Sequence, residues 1–182
     1  MNTCFQQVQG MKIQTQSRPE FAKLGSLLED MSVAMLTTVD TQGALVSRPM
    51  SPLEMDGLGA LWFFTDLRSA KIERLRAVNL SFSDSEKAIH VSLSGRGEIH
   101  AEHAHIAMLW TPYARPWFPD GPDSTNLALL KFIPETAEYW DAPSSKMIRM
   151  FAMAASIVAG KPIGLGDHDT LNALSDALVT TP

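Results

Sequence analysis

The residues best suited to chemistry lie in one stretch, Trp62-Phe63-Phe64-Thr65-Asp66-Leu67-Arg68-Ser69-Ala70-Lys71, followed by Ile72-Glu73-Arg74-Leu75. Thr65 and Ser69 offer hydroxyls. Arg68 and Lys71 offer positive charge. Trp62 to Phe64 is an aromatic run with high strand preference. Ile72 and Leu75, three apart, fit the buried side of a short helix from about Ser69 to near Val78. Basic residues thus sit at a helix N-terminus, where the dipole favours acids. An anion bound there would turn that conflict into an attraction. Free helix-start N–H groups, two hydroxyls and two cations together describe a phosphate pocket. The alternative is a solvated turn whose long basic side chains reach into water. This stretch alone leaves both open.

Other constellations carry less. His100-x-x-His103-x-His105, with Glu98 and Glu102, has metal-ligand types. Its spacing puts His100 in a strand and the others at a helix start, and nothing supplies a second shell, so solvent-facing histidines are expected and no metal. Cys4 is the single cysteine, which leaves no intrachain disulfide and no cysteine-based metal cluster. It lies in a polar segment and is not expected to be a nucleophile. No Ser-His-Asp arrangement can be argued, and the catalytic residues stay unknown.

Composition bounds the class. The 182 residues suit one domain, and 45% hydrophobic with 19% charged suits a globular chain with a sizeable core. The net charge of −5 argues against a general nucleic-acid binder, which needs a basic face. No apolar run approaches the ~18 residues of a membrane helix, and no signal-peptide order opens the chain. A cytoplasmic protein is the expectation.

Several elements must position the opening stretch. Residues 1–18 are polar and aperiodic and read as a mobile arm. Pro19 opens a helix whose Phe21, Leu24, Leu27, Leu28 and Met31 share one face. Strands are expected at Met35–Val39 and Ala44–Met50, joined at Asp40-Thr41-Gln42-Gly43 as a hairpin. Pro49 inside the second strand marks an edge, a bulge or a place where the backbone faces something else. After the turn Asp56–Gly59 come strands at Ala60–Phe64, Leu80–Ser83 and Ala88–Ser94, with a break at Gly95-Arg96-Gly97. Glu98–His100 resumes the strand, and Glu102–Trp110 reads as a helix. Thr111–Thr125 holds four of the eleven prolines together with Trp117 and Phe118, too apolar for a free loop. Leu127–Ile133 and Glu135–Trp140 are two last strands, followed by a helix at Lys146–Ala159 and a polar tail with a weak helix around Leu171–Leu178. Six to eight short strands at this spacing favour a closed or partly closed antiparallel barrel. No Gly-x-Gly-x-x-Gly follows a strand, so a Rossmann-type nucleotide site is not expected.

Three segments in register resemble the FMN-binding split barrel of the pyridoxamine 5′-phosphate oxidase superfamily, in its general stress protein 26-like branch. They are Ser47-Arg48-Pro49-Met50, Phe64 to Lys71, and Pro134-Glu135-Thr136-Ala137-Glu138-Tyr139-Trp140. The resemblance spans roughly residues 20–142. It implies a mainly β (α+β) antiparallel split β-barrel with short flanking helices and a C-terminal helix. It divides the chain into an arm (1–18), an FMN-binding barrel domain (19–142) and a C-terminal helix and tail (143–182). It further implies a homodimer with each flavin in the cleft between two copies.

Position by position, the resemblance gives Arg48 the FMN phosphate, and Pro49 and Met50 the strand along the isoalloxazine edge. Phe64 and Thr65 line the ring and the ribityl-phosphate arm. Ser69 and Lys71 bind phosphate, and Trp140 contacts the flavin from the second subunit. FAD or a deazaflavin are alternative cofactors. The prolines near Trp117 would shape a rigid loop over the flavin cleft. Vitamin B6 oxidation is disfavoured. Trp140 is followed by Asp141-Ala142-Pro143-Ser144-Ser145-Lys146, without the Arg-x-His segment of those oxidases. Their lysine after the strand-two arginine is replaced by Ser51-Pro52-Leu53, and their terminal arginine segment is missing. The expectation is therefore an FMN-dependent oxidoreductase with an unknown reductant or substrate, or else a flavin-binding stress or regulatory protein without turnover.

Overall fold

The computed structural model describes residues 10–69 and 75–141 and the backbone of 167–171. The elements in chain order are β1 (Lys12–Ile13), α1 (Pro19–Leu28), β2 (Ala34–Val39), β3 (Leu45–Met50), β4 (Pro52–Met55) and β5 (Leu61–Asp66). Then follow β6 (Val78–Asp84), β7 (Ile89–His100), α2 (His103–Leu109), β8 (Leu127–Asp141) and β9 (Asp167–Leu171). One sheet runs in the order β1-β4-β5-β8-β7-β6-β2-β3, with β9 added to β8. All ladders are antiparallel except β1 with β4. The sheet curls into a split barrel, as the sequence predicts.

Strand alternation builds the interior. Leu36, Leu80, Leu93, Leu130 and Phe132 point inward with Leu61 and Phe63 of β5. Pro19 starts α1 with its fixed φ, and Phe21, Leu24, Leu27 and Leu28 place the helix on this same core. Gly59 makes the turn before β5 at φ +86, and a Cβ there would meet the Phe21 ring at 2.4 Å. The turn and α1 therefore need a glycine at that place.

The outer face of β5 has its own cover. Trp62 packs with Ile106 and Leu109 of α2 and with Leu127 and Leu129 of β8. Phe64, Trp110 and Phe118 close around this cluster. Trp62 to Phe64 is thus hydrophobic throughout because both faces of β5 are covered.

Several expectations change. Residues 10–18, expected in a mobile arm, hold β1. Met11 is buried, and Glu54, 1% exposed, takes Lys12 at 3.1 Å and the Gln14 amide at 2.8 Å. Pro52–Met55 forms a strand that apolar periodicity did not mark. β7 runs through Gly95–Gly97 without ending, and β8 runs through Pro134. Gly95 faces Pro134 and Ser94 faces Thr136, so Glu135 is the extra residue of a bulge. Proline, lacking an N–H, is tolerated at such a point. Gly95 is required there too, because a Cβ would lie 2.1 Å from the Ile133 carbonyl oxygen. Val78 opens β6 instead of closing a helix, and the rest of that helix from Ala70 to Arg74 lies outside the described residues. So does the helix expected at Lys146–Ala159. Leu171 ends β9, and the remainder of the weak tail helix is also outside. Among the described residues no helix is long and apolar enough to cross a membrane.

Candidate functional site

β3 lies at one margin of the sheet, so Pro49 occupies an edge strand. Its register fixes which side chains turn inward. Arg48 stands opposite Leu36 and Met50 opposite Ala34, and both of those partners are core residues. Arg48 and Met50 therefore point into the barrel, while Ser47 and Pro49 face out. Met50 joins the core. Ser47 and Thr37 share a hydroxyl hydrogen bond of 2.7 Å on the outer surface.

β5 brings Thr65 to the same interior. Leu61, Phe63 and Thr65 share the inward face, and Thr65 is 2% exposed. Phe64 turns the other way, with its ring 5.6 Å from Trp110 and 6.2 Å from Phe118. The chain enters β4 at Pro52, opposite Phe63. Arg48 lies four residues earlier, within about 14 Å of extended chain. Arg48, Met50 and Thr65 thus share the inner face of the sheet, while Phe64 lies on its outer face.

Two polar atoms on this inner face lack partners among the described residues. Arg48 Nη1 and Thr65 Oγ1 are both buried without a hydrogen bond. Each such atom costs roughly 1–3 kcal/mol if nothing satisfies it. A guanidinium N–H and a hydroxyl are what a phosphate or a polyol chain requires, so these residues fit an anionic, hydroxylated ligand.

In the turn after β5 the amides ahead of the expected helix are tied down, and those from Ala70 to Arg74 lie outside the described residues. The amides of Leu67, Arg68 and Ser69 are already used: Leu67 donates to the Asn126 carbonyl at 2.8 Å, Arg68 to Asp66 Oδ1 at 2.8 Å, and Ser69 to the Asp66 carbonyl at 3.0 Å. They are not free donors for a phosphate. The Arg68 guanidinium binds Asp66 through Nη2 at 2.6 Å and Nε at 3.0 Å. That hydrogen bond, with the coulombic attraction behind it, raises the Arg68 pKa above its ordinary value. The apparent excess of charge in this turn is thus partly balanced by Asp66. Ser69 is half-buried beside it, and Lys71 lies outside the described residues.

Trp140 stands apart. It is 42% exposed on the outer face of β8, opposite His90. Thr65 pairs with Ala128 on the same strand. From residue 128 to residue 140 the strand rises by about 40 Å. Trp140 lines an open groove of about 400 Å³ with Val33, Met35, Ser81, Ser83, His90 and Ser92. Within one chain it does not join Thr65.

The three histidines at and after the end of β7 also part company. His100 and His105 pack edgewise on Trp62, with ring centroids at 5.2 and 4.4 Å. His103 reaches Asp123 at 2.7 Å. Among the described residues no three His, Cys, Asp or Glu side chains gather to hold a metal. The sequence reading missed the clasp between His103 and Asp123 and the packing of Trp110 and Phe118 on Phe64. Only the unusual apolarity of Thr111–Thr125 signalled it.

Comparisons with known proteins agree with this architecture. A general stress FMN/FAD binding protein from Xanthomonas citri is 32% identical, with a TM-score of 0.58 over 68% of this chain and 89% of that one. A candidate general stress protein 26 from Jannaschia sp. is 26% identical, with a TM-score of 0.65 over 83% of this chain and 99% of that one. A protein from Clostridium acetobutylicum, related to general stress protein 26 and to the pyridoxinephosphate oxidase family, is 28% identical. Its TM-score is 0.59 over 66% of this chain and 87% of that one. No curated protein matches. The model of the family described as pyridoxamine 5′-phosphate oxidase like matches residues 19–163, most of the chain, including β2 to β8 and every candidate site residue. The chain belongs to that pyridoxamine 5′-phosphate oxidase-like family.

Proposed function

We propose that this protein binds FMN between two copies of itself and acts as a flavin-dependent oxidoreductase of the general stress protein type, in the cytoplasm. The observation that carries the reading is the pair of buried, unpartnered polar atoms, Arg48 Nη1 and Thr65 Oγ1. The Xanthomonas citri relative, described as binding FMN or FAD, supports a flavin as the ligand that meets them. Arg48, Ser69 and Lys71 would hold the phosphate, with Thr65 beside the ribityl arm. Pro49, Met50 and Phe64 would border the ring. Bound flavin would supply hydride or electron transfer. In the two-copy arrangement Trp140, about 40 Å along β8 from its own chain's Thr65, would contact the flavin held by the other copy.

A reading without turnover has its own support. Asp66, the acidic side chain of the turn, is engaged by Arg68 and is not a ready proton carrier. Hydride transfer to flavin needs none, so reduction kinetics separate the two readings. The purified protein is expected to be yellow and to bleach on adding NADPH. Yellow protein inert to a panel of reductants would leave only the passive binder. Colourless protein that takes up no added FMN, FAD or deazaflavin would remove both. Arg48→Gln and Lys71→Ala are each expected to weaken FMN binding about tenfold or more, as loss of a charged phosphate contact should.

A further inference from the structure

The groove at the far end of β8 is lined by one histidine, His90, the side-chain type whose charge changes in the physiological range. His90 stands opposite Ser83 of β6 and opposite Trp140 of β8, so the three form one row across the outer face. Ser83 Oγ and His90 Nδ1 share a hydrogen bond of 2.8 Å. That bond restrains the imidazole and occupies one of its nitrogens. Nε2 has no partner among the described residues. Val33 and Met35 give the groove an apolar wall, Ser81 and Ser92 a hydroxyl floor, and Trp140 an aromatic flank. The charges nearby are otherwise engaged or offset along the strands. Asp84 of β6 accepts the Glu86 and Lys87 amides, and Lys87 itself pairs with Asp30. On β8, Glu138 lies opposite Ser92 and Asp141 opposite Ile89. None of these forms an ion pair with His90 among the described residues. One strand further out, β9 sets His168 opposite Trp140.

In the imidazolium both nitrogens donate. Ser83 then accepts from Nδ1, and Nε2 offers the groove a charged N–H. A volume of about 400 Å³ suits a small ring system, and an indole favours a flat partner. The edge of a flavin ring carries carbonyl oxygens and unprotonated nitrogens, all acceptors. A charge-assisted hydrogen bond to such an acceptor is roughly twice as strong as a neutral one. We propose that His90, held by Ser83, is a proton-dependent clamp on the flavin ring that the other copy presents to Trp140. The inference rests on the flavin reading and adds a regulation to it. The sign follows from linkage: the form that binds more tightly is the protonated one, so the hold strengthens as the pH falls through the imidazole range and levels off on either side.

Two measurements on the full-length protein test it. The first needs no ligand. A protonated imidazole quenches a neighbouring indole, and subtracting the Trp140→Phe variant isolates Trp140 from the other tryptophans. Trp140 emission is expected to fall on acidification in wild type and to stay level in His90→Gln. Quenching that persists in His90→Gln assigns the titration to another group, such as His168, and overturns the clamp. The second is calorimetric titration with riboflavin, which lacks the phosphate and so removes that group's own protonation from the result. Wild type is expected to bind about threefold more tightly near pH ~5.5 than near pH ~8, and His90→Gln equally at both. Equal wild-type affinity at the two pH values overturns the clamp and leaves flavin binding intact. No uptake of FMN or riboflavin at either pH removes the flavin reading, and the clamp with it.

Discussion

The two ends of β8 live in different surroundings. From Leu127 to Leu130 the strand is buried at every position, covered inside by the barrel core and outside by α2 and its loop. From Thr136 to Trp140 it alternates, with Ala137 and Tyr139 inward and Thr136, Glu138 and Trp140 exposed. One strand is thus a finished wall at its start and a half-covered one at its end. The first end carries the inward Thr65 hydroxyl on a rigid base. The second presents Trp140 and an open groove to whatever approaches. The proposed two-copy site would use the first end to hold the ligand and the second to reach across to the other copy.

The largest test of this contrast is stability. Phe132→Ala, at a fully buried position, is expected to cost about 3–5 kcal/mol by urea unfolding. Trp140→Ala should cost under ~1 kcal/mol in the ligand-free protein yet weaken FMN binding about tenfold. Equal losses of stability at the two positions would make the ends alike and end the comparison. A smaller effect of opposite sign is expected at Thr65. Thr65→Val removes an unpartnered buried hydroxyl and should stabilise the ligand-free protein by about 1 kcal/mol while lowering flavin affinity. A destabilised Thr65→Val protein would mean that the hydroxyl has a partner after all. The smallest effect concerns the β6–β7 turn at the exposed end, where Lys87 pairs with Asp30. This hydrogen bond raises the Lys87 pKa above 10.5. Its contribution is complete below the unfolded value and disappears as the pH climbs through the folded one. Lys87→Met should therefore lower the melting temperature slightly at neutral pH, by little because the pair is exposed, and flatten its alkaline fall. A marked shift at pH 7 would show that this end is more tightly built than its exposure implies.

The sequence disclosed most where pattern and chemistry coincide. The Asp40–Gly43 turn between two alternating runs specified the β2–β3 hairpin, and of the three places open to Pro49 the structure shows the edge strand. The β1 pair was hidden because two residues carry no periodicity, and its hold on Glu54 is a long-range contact. β7 and β8 read as broken because Gly95 and Pro134 each end a strand by local preference. Opposite one another they make a bulge, which only the pairing discloses. Arg68 looked available because its capture by Asp66 depends on a turn geometry that charge counting does not contain. The inward aim of Arg48 follows from alternation once its partner Leu36 is known. The unpartnered state of its Nη1 required the whole barrel.

Ser51 is the sole residue between β3 and β4, strands that lie toward opposite margins of the sheet. No ladder joins them among the described residues, so the chain itself is the hinge pin of the split. An anion gripped by Arg48 on one leaf and by Thr65 on the other would act as a rivet across that seam. Its binding would then be legible far from any chromophore, as slowed amide exchange along β3 and β4.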